Sequence, residues 1–95
     1  MAFDNDAVIW YLIAGTKGGP NRVQIMQSLK SKPQNANQLT KELNLDYKTI
    51  RHHLEILLEN GLIGRSQKIK YGEVYFLTDF GKLKIEQIGK DLGKS

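Results

Sequence analysis

Between Asp46 and Gly61 the chain spells out one amphipathic helix with both ends marked. Ile50, Leu54, Leu57 and Leu58 recur at helical spacing, which gathers them on one face. Tyr47, Lys48, Arg51, His52 and Glu55 must then point elsewhere. Asp46 offers a capping oxygen to the first free amides, and Glu59-Asn60-Gly61 ends the helix with a glycine suited to a left-handed C-terminal cap. A helix built this way needs other elements against its apolar stripe. Its polar face is left to solvent or to a partner.

The neighbouring segments supply that cover. A first helix is expected over about 5–14, capped by Asn5 or Asp4, and is broken by Gly15-Thr16-Lys17-Gly18-Gly19-Pro20. A second begins near Pro20 or Asn21 and buries Val23, Ile25, Met26 and Leu29. Pro33 ends it, and Asn35 caps a short third helix over Ala36 to Leu43. The turn Asn44-Leu45-Asp46 leads into the marked helix, 46–60. Leu62 to Ile69 and Glu73 to Thr78 are rich in β-branched and aromatic residues and read as two strands around a Lys70-Tyr71-Gly72 turn. Thr78 or Asp79 caps a last helix over about 79–92, with Phe80, Leu83, Gln87/Ile88 and Leu92 along its stripe and Ile85 off it. With 95 residues, the elements make a single domain, 1–95, mainly α with a small β-hairpin.

Charge and composition narrow the function. The net charge of +4 decides little alone. From Lys17 to Arg51, however, seven basic residues face two acidic ones, a local +5. The absence of cysteine excludes disulfides, thiolate metal sites and a cysteine nucleophile, and a reducing, cytoplasmic setting is the default for such a chain. The longest apolar run, Ala7 to Ala14, is far short of the roughly 20 residues that span a bilayer. Asp4 and Asp6 precede it, so it does not read as a secretory signal. No Gly-rich strand-to-helix phosphate loop, serine–histidine–aspartate order or paired carboxylates argue for an enzyme, and no cofactor is expected.

The order α-α-α-α-β-β-α, with a basic hairpin after a polar-faced helix, is a winged helix-turn-helix layout. In that motif the second helix of the turn enters the major groove. Tyr47, Lys48, Thr49, Arg51 and His52 are then the candidate readers: arginine and lysine donate to guanine O6 and N7, while tyrosine and threonine meet phosphates or a thymine methyl. Arg65, Lys68, Lys70 and Tyr71 on the hairpin would meet backbone phosphates or the minor groove.

Several stretches carry a family resemblance. Arg22-Val23-Gln24-Ile25-Met26-Gln27-Ser28-Leu29, Gln38-Leu39, Thr49 to Leu57, Gly61-Leu62-Ile63 and Tyr75-Phe76-Leu77-Thr78 resemble the ArsR-type winged-helix regulators. The ending Leu77-Thr78-x-x-Gly81 also resembles MarR- and PadR-type regulators. The resemblance implies a homodimeric factor that binds double-stranded operator DNA, usually as a repressor. It departs from the metal sensors of that family, whose thiolate ligands have no counterpart here.

His53 aligns with the family's His-Leu pair and shares a face with Ile50, Leu54 and Leu57, which makes it a packed structural histidine. His52 points to the groove side. Adjacent histidines diverge by about 100° on a helix, so they do not chelate one metal ion. The first helix is apolar all round, which calls for burial on more than one side. Val8, Ile9, Trp10, Tyr11 and Leu12, with Leu83 and Ile88 of the last helix, are therefore the expected homodimer interface. The same residues would otherwise cover each other within one chain. Against the regulator stands a second class, a winged helix used as a protein–protein module in a larger assembly. No effector is legible.

Overall fold

The computed structural model describes residues 5–66 and 72–93, with side chains over 7–66 and 72–90. Its elements are α1 (Asn5–Ala14), α2 (Gly19–Ser31), β1 (Gln34–Asn35), α3 (Ala36–Leu43), α4 (Tyr47–Glu59), β2 (Ile63–Arg65), β3 (Val74–Leu77) and α5 (Asp79–Gly93). The helices and the two hairpin strands follow the expected order, and β1 is an addition to it. The sheet runs β1-β3-β2, antiparallel throughout. Gln34 faces Tyr75 on one side of β3, and Arg65 faces Tyr75 on the other.

Local chemistry explains the boundaries. Pro33 disfavours a helical residue before it, and Lys32 is extended at φ −167°. The chain then pairs briefly with β3 before Asn35 turns it into α3. Asn35 Oδ1 accepts from the Gln38 amide at 2.8 Å, and Gln38 Oε1 accepts from the Asn35 amide at 2.8 Å. This reciprocal pair satisfies two amides at once. Asn44 is left-handed at φ 57° and ends α3. Asp46 then caps α4, accepting from the Thr49 amide at 3.3 Å and from its hydroxyl at 2.6 Å.

At the far end of α4, Gly61 takes φ 72°. The Leu62 amide reaches the Leu57 carbonyl at 3.0 Å and the Gly61 amide reaches Leu58 at 3.1 Å, the paired closure of a glycine-ended helix. Thr78 caps the start of α5. Its hydroxyl accepts from the Gly81 amide at 2.9 Å and donates to the Gly61 and Leu62 carbonyls.

Among the described residues the buried apolar side chains form one cluster, with Ile25, Met26 and Leu29 of α2 and Ile50, Leu54 and Leu57 of α4 prominent in it. Leu39, Leu62, Tyr75 and Leu77 close it on the sheet side. α1 adds Ile9 and Ile13, and α5 adds Ile85 and Ile88. Two expectations change here. On α5 the buried stripe is Gly81, Lys84, Ile85 and Ile88, so Ile85 lies on it and Leu83 faces solvent. The reason is Gly81: a Cβ there would stand 2.0 Å from the Leu62 carbonyl oxygen, so this side of the helix packs tightest. Ile9 and Ile88, expected between subunits, are only 4% and 3% exposed because the chain's own core takes them.

Candidate nucleic-acid interface

The polar face of α4 is open. Tyr47, Lys48, His52 and Glu55 are exposed, while Thr49 and Arg51 are half-buried and Ile50 faces inward. Thr49's hydroxyl is engaged by Asp46. That bond, followed by the Thr49 amide, holds the Asp46 carboxyl below its ordinary range. Lys48 and His52 are exposed on successive turns, the His52 ring 5.3 Å from that of His53.

Arg51 is more constrained than its place in the sequence suggests. Its Nη1 donates to the Tyr75 hydroxyl at 2.8 Å, and Nη2 lies 3.8 Å from Glu55 one turn on. The Tyr75 ring is buried at 1% exposure. Its hydroxyl donates to Glu73 at 3.1 Å, and Glu73 lies 3.5 Å from Arg65. Burial raises the Tyr75 hydroxyl above the usual phenol value, against the lowering pull of the Arg51 charge. A polar chain, Arg51–Tyr75–Glu73–Arg65, thus joins α4 to the strands of the hairpin. It borders a cleft lined by Asn35, Asn37, Tyr47 and Arg51 on one side and Gly72, Glu73 and Tyr75 on the other. Lys68, Lys70 and Tyr71 lie outside the described residues.

Beneath α4 the basic count needs correcting. Arg22, one of the seven cations of the middle segment, is 3% exposed and turned inward. Its Nε and Nη2 donate to the Leu12 carbonyl at 3.1 and 2.9 Å, Nη2 also meets the Thr16 hydroxyl, and Nη1 lies 3.1 Å from His53 Nδ1. Arginine has only donors, so His53 Nδ1 accepts and the ring is neutral. Burial first, then the Arg22 and His52 charges, hold His53 below the ordinary histidine range. His53 is indeed packed, at 4% exposure. Sequence reading missed Arg22, Tyr75 and Glu73. For Tyr75 one signal existed: a tyrosine on the inward face of a strand needs a partner for its hydroxyl.

At the chain's other end, Val8, Tyr11 and Leu83 are 47%, 62% and 51% exposed. Trp10 and Leu12 are half-buried. Among the described residues no helix is long and apolar enough to cross a membrane.

Residues 19–64 match the family described as bacterial regulatory protein, arsR family. The fold is a winged helix, and the match to that family falls within it. The matched segment runs from the start of α2 into β2, so it contains the helix–turn–helix and the start of the wing. A sequence comparison with curated proteins finds no match. Among solved structures, the fold is similar to HlyU from Vibrio cholerae N16961, at TM-score 0.71 and 20% identity, covering 93% of this chain and 96% of that one. It is similar to the transcriptional repressor BigR from Xylella fastidiosa, at TM-score 0.75 and 18% identity over 92% of this chain and 82% of that one. A mutant MarR from E. coli complexed with operator DNA also matches, at TM-score 0.71 and 21% identity over 95% and 69%. The ArsR-type resemblance of the sequence and the winged-helix fold therefore agree.

Proposed function

We propose that this chain is a sequence-specific double-stranded DNA-binding transcriptional regulator acting as a homodimeric repressor. One observation carries the reading. The helix after the tight turn buries Ile50, His53, Leu54 and Leu57 and turns Tyr47, Lys48 and His52 to solvent, with Arg51 at the edge. A helix so presented fits the major groove, where its first turns meet base edges. The similarity to a MarR protein complexed with operator DNA supports the same use of the fold.

In this reading Arg51 and Lys48 address guanine edges, and Tyr47, Thr49 and His52 meet phosphates or thymine methyls. Arg65, Lys68, Lys70 and Tyr71 hold the backbone beside the wing. Val8, Tyr11 and Leu83, with the flanking Trp10 and Leu12, join two copies. Their recognition helices then meet half-sites about one DNA turn (~34 Å) apart.

The test is selection of bound sites from a random duplex pool, followed by binding at increasing salt. An inverted repeat is expected, with log affinity falling by nearly one unit of slope per phosphate neutralised. No duplex binding at low salt would overturn the proposal in favour of a protein partner.

A further inference from the structure

We infer that Tyr75 is a positioning residue for base readout: it presets the Arg51 guanidinium and makes the wing part of the recognition helix's specificity. This rests on the reading of Arg51 as a base contact. The geometry is directional. Arginine can only donate and an ionised glutamate can only accept, while a tyrosine hydroxyl has one proton to give. With that proton committed to Glu73 at 3.1 Å, the hydroxyl oxygen is turned to accept Arg51 at 2.8 Å. The order Arg51 to Tyr75 to Glu73 therefore runs one way only.

The support is rigid where the arginine is not. The Tyr75 ring is 1% exposed in the core and sits on β3, the central strand, paired with Gln34 and Arg65. Arg51 is 38% exposed along its side chain, and its ion pair with Glu55 is a loose 3.8 Å. An arginine on open solvent samples many rotamers, and ordering it on DNA costs binding free energy. The bond to Tyr75 takes one N–H of Nη1 and leaves the other guanidinium donors for a base. Preorganisation of this kind raises affinity for the site that Arg51 reads, and so its preference, while leaving the phosphate contacts and the salt slope untouched.

The experiment compares wild type with Tyr75→Phe, Arg51→Ala and the double variant on the site selected by the wild-type protein and on copies with single base changes. Tyr75→Phe keeps the buried ring and deletes only the hydroxyl, and thermal unfolding of each variant checks that the fold is retained. The expected result is a two- to tenfold loss of discrimination at one base step, about the value of one hydrogen bond, with the salt slope unchanged. Arg51→Ala abolishes the preference at that step, and adding Tyr75→Phe to it changes nothing more. Full discrimination by Tyr75→Phe, with Arg51→Ala still deficient, would overturn the positioning role and leave the readout by Arg51 standing. Full discrimination by both would overturn the readout and the positioning role together. A salt slope lowered in Tyr75→Phe would also overturn it, since the hydroxyl would then be acting on phosphate contacts.

Discussion

Arg22 takes a permanent charge into the interior, and among the described residues no carboxylate meets it there. A main-chain carbonyl, a threonine hydroxyl and a neutral imidazole do so instead. Such a group ties stability to pH through its histidine. In the unfolded chain His53 titrates near its ordinary value of about 6.5, and in the folded chain it titrates lower. Between the two values the unfolded state binds more protons, so stability is full above about pH 6.5 and falls as the pH drops toward the folded value. Urea unfolding across that range should show the decline, and His53→Gln should flatten it. Arg22→Met leaves His53 Nδ1 and the Thr16 hydroxyl oxygen without their donor, while the Leu12 carbonyl keeps the Thr16 hydroxyl at 3.1 Å. It should cost about 1–3 kcal/mol for each acceptor that stays buried and unpaired, read by the same titration. In the proposed DNA complex, Arg51→Ala should cost about 1–3 kcal/mol and remove the preference at one base step, measured by competition binding. His53 was legible because it falls in phase with Ile50, Leu54 and Leu57. Arg22 was not, because its acceptors come from Leu12, Thr16 and His53, and no local pattern links them.

The helices of the turn were legible as elements because their signals are local. Asn35, Asp46 and Gly61 each act within a few residues of where they stand. Asn35 carries two roles, as the last residue of β1 and as the cap of α3. Asn35→Ala should therefore cost about 1 kcal/mol through the lost cap, measured by chemical denaturation. β1 itself was invisible: two polar residues show no alternation, and only their partner Val74-Tyr75 makes them a strand. The face of α5 was misjudged for a related reason. Periodicity weighs Phe80 and Leu83, whereas the closest approach is made at Gly81, a residue with no apolar side chain to register. Gly81→Ala would press a methyl group on the Leu62 carbonyl. A loss of about 1–3 kcal/mol is expected from that overpacking, with a lower midpoint in thermal unfolding.

Across the whole molecule, the two ends of the chain separate into residues that build the core and residues that face outward. Sedimentation equilibrium can tell them apart. Tyr11→Ser or Leu83→Ser should shift a dimer toward monomer while leaving the fold intact. Ile9→Ala should lower stability by about 2–5 kcal/mol, as a truncated core residue does. The all-round apolar character of α1 was plain in the sequence, but which of its faces meets the chain's own core depends on where α2 and α5 pass, and this the one-dimensional pattern does not hold. The inward guanidinium has a last consequence, for natural variation. Position 22 and position 53 are coupled: a descendant that loses the imidazole takes one of three acceptors from a buried cation, and one that loses the arginine leaves the imidazole nitrogen without its donor. A change at either site therefore costs less when the other changes with it, however far apart the two stand along the chain.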